Sequence, residues 1–395
     1  MSSTAEAQTR PARLVKDINT APTPASGSNP SGFAEFRGRT FFTAFTLETG
    51  TELWKTDGTD EGTVLVKDIV PGPLSSNIRE LRAVGDTLFF SEDDGAHGNE
   101  LWKTDGTEAG TVLVKDIAPG GSSSFPYQMV DADGVLIFTA NEGIHGAELW
   151  KSDGTEAGTS LVANISPGPS SSGVSDLTAL GRVVVFSADD ATHGAELWRS
   201  DGTGPGTYLV SDLEPGASGS YPVLIGRAGD FAYFTIGDGT SLFKTDGTSA
   251  GTSLVKVLPY GLYGSGGIEL QGMFFFRVQG TFGPAQLWKT DGTSGGTRLV
   301  ADFEVTLTGG FGSLAVFQNE IYFSLIRDYR APVELWKTGG SSLDTTLVKA
   351  FNPSFMSYLI PTTASHALVF FFYDVEHGFE LWKSDGTTEG TSILD

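Results

Sequence analysis

The sequence predicts an all-β fold, an eight-bladed β-propeller of four-stranded antiparallel blades whose ring is closed by the N-terminal strand. Three observations predict it: a blade-sized repeat, four short β-rich runs within each unit, and no useful window with the 3.6-residue apolar period of a helix. The repeat is plainest as TELWKTDGT at Thr51, NELWKTDGT at Asn99, AELWKSDGT at Ala147 and AELWRSDGT at Ala195. It continues as SLFKTDGT at Ser241, QLWKTDGT at Gln286, ELWKTGG at Glu334 and ELWKSDGT at Glu380. The aromatic anchors Trp54, Trp102, Trp150, Trp198, Phe243, Trp288, Trp336 and Trp382 fall 48, 48, 48, 45, 45, 48 and 46 residues apart, and all 7 tryptophans occupy this position.

Within the second unit the loop PGPLSSN is followed by IRELRAVG, DTLFFSEDD, ELWKT and TVLVKDI. Each run is rich in β-branched, aromatic or other apolar residues and is bounded by Gly, Asp, Ser or Pro, which supply turn dihedrals or end pairing. A sheet of this size cannot cover both its faces, so successive units must stack and bury Trp, Phe, Leu and Val between them. A solenoid is the main competitor, but it uses shorter repeats and parallel strands, whereas four strands in roughly 40 to 50 residues is the blade pattern.

Closure leaves its own trace. Residues 14–18 (LVKDI) duplicate the fourth strand seen at 65–69 and 113–117, while the last unit stops short at Ile393, Leu394 and Asp395. An outer strand placed first in the chain can complete the last blade and remove an open edge. The expected organisation is a flexible tail over residues 1–13 and a single propeller domain of eight repeats over 14–395.

ELWKTDGT followed by GTVLVKDI, with HG just before the motif, resembles the ELWxxDGT repeat family of bacterial proteins, and the match covers nearly the whole chain from Leu14. The resemblance implies a surface-exposed or exported repeat protein and carries no established activity. Departures gather in the fifth to seventh units, where Phe243 replaces Trp, Ser241 and Gln286 replace Glu, and Gly339 replaces Asp.

Charge narrows the partners. The 48 acidic against 25 basic residues give a formal charge of −23, a field that repels phosphate backbones and anionic headgroups. Nucleic acid is therefore not an expected partner, whereas a carbohydrate, a small molecule or a protein is; a monomer is expected. With no cysteine, disulfides, thiolate metal sites and Cys nucleophiles are excluded and the redox compartment stays open. The polar first ten residues lack the apolar region of a secretory signal, and no apolar run approaches the roughly 18 residues of a membrane span. No membrane insertion is expected. The expected location is extracellular or at the cell surface, with the cytoplasm as the alternative.

Each recurring motif has a structural and a functional reading. DGTxxGT, as at residues 105–111, offers oxygens at short spacing, yet fewer than a calcium loop needs, and Asp-Gly between strands is the ordinary hairpin signal. His97, His145, His193 and His377 occupy the turn before the Trp strand, on the same rim as the PGxxSS loops. One histidine per blade spaces them too widely to share a metal, so a local hydrogen bond to a nearby carboxylate such as Asp93, Asp94, Asp189 or Asp190 competes with a role in binding. The ELW glutamates, Glu52, Glu100, Glu148, Glu196, Glu334 and Glu380, read either as anchors for neighbouring turn amides or as a ring of catalytic carboxylates. No metal or cofactor is expected.

The later units break the pattern with Tyr260, Tyr263, Phe282, Phe311, Tyr329, Phe351, Phe355 and Tyr358 in or near loops; Phe125, Tyr127 and Tyr221 do so earlier, to a lesser degree. Aromatics on a rigid scaffold are candidates for a binding surface, and loop packing is the competing reading. The expected ligand-binding residues are Tyr260, Tyr263, Phe282, Tyr329 and Tyr358, with the four histidines. No nucleophile elbow, zinc helix or phosphate loop stands in its required context, and no catalytic residue is identified. The expected function is a non-enzymatic binding scaffold presenting its loop rim. The alternative is an enzyme of hydrolase, lyase or isomerase type at the channel mouth, which His366, Arg327, Asp328 and Arg330 converging on one cavity would favour.

Overall fold

A computed structural model describes residues 18, 28–262, 266–279, 283–306, 308–328, 330–351, 368–374 and 378–393. Among them there is no helix, and the strands form seven four-stranded antiparallel sheets and one three-stranded sheet, each in simple chain order. The first sheet comprises β1 (Ser31–Phe36), β2 (Arg39–Thr46), β3 (Gly50–Thr56) and β4 (Val64–Lys67). The second comprises β5 (Arg79–Val84), β6 (Thr87–Asp93), β7 (Asn99–Thr104) and β8 (Val112–Lys115). Two more follow: β9 (Tyr127–Asp131), β10 (Leu136–Asn141), β11 (Ala147–Ser152) and β12 (Ser160–Ala163), then β13 (Ser175–Leu180), β14 (Val183–Asp189), β15 (Ala195–Ser200) and β16 (Tyr208–Ser211). The remaining sheets span residues 223–257, 268–303, 310–351 and 368–393. The chain forms two compact units, one within Val15–Val257 with five of the sheets and one within Leu258–Asp395 with three.

The repeat aromatic makes the same cross-strand pair in every sheet. Trp54 stands opposite Phe42, Trp102 opposite Phe90, Trp150 opposite Phe138 and Trp198 opposite Phe186. Trp288, Trp336 and Trp382 face Phe276, Phe323 and Phe370. Phe243 keeps the arrangement, stacking on Phe234 at 5.3 Å, so the Trp-to-Phe departure preserves a ring on a ring.

Burial between sheets forms the core. Phe41, Leu53, Val66 and Ile69 of the first sheet pack on Leu88, Phe90 and Trp102 of the second. One junction on, Phe89, Leu101, Val114 and Ile117 meet Leu136, Phe138 and Trp150. Each sheet thus buries a face only because a neighbour covers it.

The DGTxxGT segment folds into a turn that closes on itself. Asp105 Oδ1 accepts the Thr107 amide (2.8 Å) and hydroxyl (2.7 Å), and the Thr107 hydroxyl accepts the Gly110 amide (3.0 Å). Both Thr107 bonds hold the Asp105 carboxyl below the usual carboxylate range. The turn recurs at Asp57, Asp153, Asp201, Asp246, Asp291 and Asp385. Where Gly339 replaces the aspartate, Asp344 Oδ1 substitutes, accepting the Ser341 amide and Thr338 hydroxyl at 2.9 Å. The turn is also a docking face: Lys103 Nζ reaches Gly154 O (2.7 Å) and Lys115 Nζ reaches Thr159 O (2.9 Å) on the next sheet. Lysines and DGT turns of the repeat therefore hold neighbours together.

Candidate functional site

The rim begins with the ELW glutamate. Glu100 is fully buried on β7 and reaches into the loop that leaves β8. Its Oε2 accepts the Ile117 amide (2.9 Å) and Ser124 hydroxyl (2.5 Å), and its Oε1 accepts the amides of Ala118 (3.3 Å) and Ser124 (2.9 Å). Burial raises its pKa while these bonds oppose the rise. Glu148 holds Ile165 and Ser172 in the same way, and Glu196 holds Leu213, Glu214 and Ser220. One carboxylate thus fixes both ends of each PGxxSS loop. In the later unit the position changes partners: Glu334 binds Trp336 Nε1 (2.8 Å) and Arg327 Nε (2.9 Å), while Gln286 binds Trp288 Nε1 (3.0 Å) and Asp302 (2.9 Å).

The clamped serine bridges adjacent sheets. The Ser124 amide donates to Asn99 O on β7, and Ser124 O accepts the Asn141 amide from β10. Ser123 Oγ accepts the Asn99 amide (2.9 Å). The histidine turn packs alongside, so closely that a Cβ on Gly98 (φ +72) would lie 2.4 Å from Ser122 O. Glycine alone fits both the left-handed backbone and the contact.

His97 and His193 are held by their own turns. His97 Nδ1 lies 2.7 Å from Asp94 Oδ2 and His193 Nδ1 lies 2.8 Å from Asp190 Oδ2, with both backbone amides donating to the same carboxylates. His145 pairs equivalently with Glu142. The carboxylates raise the pKa values of His97 and His193. Burial works against ionisation of Asp94, but the bonds from the His97 amide and ring outweigh it and hold the carboxyl below its ordinary range. Asp93 and Asp189 cap Gly95 and Ala191 instead. These histidines are anchored in place, and His377 lies outside the described residues.

Inside this rim the first strands of successive sheets adjoin within the 15–257 unit, and grooves open between them. One, of about 470 Å³, is lined by Asn77, Arg79, Ser91, Asp93, Asn99, Ser123, Phe125 and Tyr127 among others. Another, of about 370 Å³, is lined by Ser171, Ser175, Asp176, Ser187, Asp189, Tyr221 and Val223. They are the same feature two junctions apart. Phe125 and Tyr221 each follow the clamped serine, precede a proline and take a left-handed backbone (φ 48° for both). Their rings are 67% and 63% exposed, and Tyr127 is 56% exposed, unusual for rings so rigidly mounted. Asn77 and Gly173 hold the corresponding left-handed positions elsewhere, as residues that tolerate them. A ring there costs roughly 1 kcal/mol of backbone strain that Gly or Asn would avoid.

A polar ladder stiffens the groove floors. Glu80, Gln128 and Asp176 sit at left-handed bulges of the first strands. Glu80 accepts the Met129 amide (3.4 Å), Gln128 the Leu177 amide (3.2 Å), and Asp176 the Leu224 amide, each from the next sheet. Burial raises the Asp176 pKa.

The other expected residues are placed differently. Tyr260 is half-buried against Gly283, while Tyr263, Phe282, Tyr329, Tyr358, Phe355 and His366 lie outside the described residues. Phe311 and Phe351, expected in or near loops, stand at strand ends and pack inward, Phe311 on Phe303 and Phe323, Phe351 on Phe370 and Trp382. Arg327 is taken up by Glu334, and Asp328 by the Thr306 hydroxyl (3.0 Å) and the Arg330 amide (3.0 Å). Among the described residues no group of three or more His, Asp or Glu is arranged to hold a metal, and no helix is long and apolar enough to cross a membrane.

No protein-family model and no curated protein matches the chain. Solved structures do. A prolyl endopeptidase matches at 12% identity and a TM-score of 0.51, over 90% of this chain and 54% of its own. Prolyl oligopeptidase B from Galerina marginata, bound to a 35mer hydrolysis and macrocyclization substrate, matches at 10% identity and a TM-score of 0.50, over 90% and 55%. Puromycin hydrolase matches at 13% identity and a TM-score of 0.46, over 91% and 58%. The chain spans little more than half the length of these proteins. The likeness to the two prolyl peptidases is to their β-propeller domains and shows a β-propeller-like fold, nothing of activity.

Proposed function

We propose that this chain is a non-enzymatic binding scaffold of the ELWxxDGT repeat kind, working at a bacterial surface, whose rim grooves take a neutral oligosaccharide. The carrying observation is the recurrence of one groove design at two junctions, an exposed ring at a strained backbone position beside Ser and Asp side chains. An aromatic face offers rigid apolar area to the C–H face of a sugar, and the polar walls suit its hydroxyls. The acidic charge disfavours anionic ligands.

The experiment is a titration of the full chain with a panel of neutral oligosaccharides, read by calorimetry. Binding is expected for at least one, weakened about tenfold or more in a Phe125→Ala/Tyr127→Ala/Tyr221→Ala variant. Undiminished affinity in that variant, with loss on replacing Tyr260, Tyr263 and Tyr329 by Ala, would place the site in the later repeats. Turnover of a bound glycan would favour the enzyme alternative.

We further infer that the eight sheets form one eight-bladed ring, a single domain closed by residues 14–18. Supporting this, Ile18 packs against Phe42, Ala44 and Trp54 of the first sheet. Ile69, at the same place in its own LVKDI, packs on Phe90 and Trp102 of the second.

A further inference from the structure

The second sheet breaks the repeat at one buried position. Opposite the ELW glutamate the neighbouring strand carries Ala44, Ala140 and Ala188 in the first, third and fourth sheets, but Glu92 in β6. Glu92 is fully buried, and neither carboxylate oxygen has a hydrogen-bond partner. Facing it are Asp93 and Asp94 from its own strand and turn, Glu100 from β7, and Glu52 and Lys67 from the first sheet. Glu52 is buried as completely. Its Oε2 accepts the Ile69 amide (3.1 Å), its Oε1 is left bare, and Asp68, Val70 and Ser76 surround it. Glu100, Glu148 and Glu196 have both oxygens engaged.

A bare buried carboxylate is so costly that the group keeps its proton instead. Burial, reinforced by the charges of Asp94, Glu52 and Asp93 and opposed by Lys67, pushes Glu92 up to about 9. Burial, with the charge of Asp68 and against the Ile69 amide and the nearby Ser76 and Val70 groups, pushes Glu52 up to about 7. Two interacting acids titrate as a pair. Ser76 connects them to the groove: its hydroxyl, beside Glu52, donates to Thr51 O (3.0 Å), its amide donates to the same carbonyl (3.2 Å) and its own carbonyl accepts the Asp93 amide (3.1 Å). The next residue is Asn77, in the groove wall with Ser91 and Asp93.

We propose that Glu52 and Glu92 form a proton-operated latch beneath the Phe125 groove. Protonated, they keep the wall of Asn77, Ser91 and Asp93 seated. Ionised, they repel and unseat it, so this groove releases its ligand as pH rises while the Tyr221 groove, with Ala188 in the equivalent place, does not. Because folding raises both pKa values, the seated state has its full stability below the ordinary carboxylate range and loses it as pH rises through about 7 and then about 9. The release rests on the grooves being binding sites; the latch does not.

Hydrogen–deuterium exchange on the ligand-free full chain at about pH 5 and about pH 9.5, corrected for intrinsic rates, tests the latch directly. Segments 75–80 and 89–94 are compared with their counterparts 171–176 and 185–190. Protection of the first pair is expected to fall about tenfold at the higher pH while the second holds. Glu92→Ala, which installs the residue of the other sheets, is expected to abolish the fall. Equal behaviour of both pairs, or a fall that persists in Glu92→Ala, overturns the latch. Either result is obtained without ligand and so leaves the oligosaccharide reading to its own titration.

Discussion

A Cβ on Gly110 would sit 2.1 Å from Asp105 Oδ1, inside the turn that docks on the preceding sheet. The chain must therefore carry glycine there for a steric reason, and the same approach recurs at Gly62, Gly158, Gly206, Gly251, Gly296 and Gly390. Gly110→Ala is expected to cost about 1–3 kcal/mol, because either the Asx turn opens or the backbone shifts. A denaturant titration checks it, with Glu108→Ala in the same exposed turn as the control that changes little. The turn was legible in the sequence as a hairpin signal. Its docking partners, Lys55 on Gly106 O (2.6 Å) and Lys67 on Thr111 O (2.8 Å), were not, because they lie 51 and 44 residues away. Glu92 was legible only as an acidic residue among others; that it is buried follows from the first sheet lying over it.

At the level of the strand and loop, the glutamate of ELW explains why PGxxSS recurs with it. The two motifs are about 24 residues apart and meet through a carboxylate and a serine. Glu148→Ala would leave the amides of Ile165 and Ser172 without their carboxylate and is expected to lower stability by about 3 kcal/mol. Thermal unfolding and local exchange at residues 165–172 measure it; an unchanged loop would show that the carboxylate is dispensable. The histidine turn is simpler, since an acid three residues earlier already predicts the pair. The aromatic grooves were half legible: Phe125, Tyr127 and Tyr221 stood out as ring residues near loops, but the left-handed backbone of Phe125 and Tyr221, next to the clamped serine, was not.

For the whole molecule, closure is the open quantity with a direct test. Removing residues 1–18 takes away the packing of Ile18 on Phe42, Ala44 and Trp54. The expected loss is about 1–2 kcal/mol from that contact alone. If residues 14–18 also complete the last sheet, hydrogen exchange will rise there too, in segment 378–393. A rise confined to the first sheet would mean an N-terminal strand that caps one end without closing a ring.

The sequence by itself determined the repeat, the four strands per unit and their order. These depend on turn residues and alternation within some 40 residues, so they are written locally. The tertiary structure decided what each repeated polar group does. Whether Glu100 clamps a loop, Glu334 binds a tryptophan or Glu92 holds a proton depends on which surface the next sheet presents and how much water it excludes. Burial and partners at that range are properties of packing between units, and no single unit encodes them.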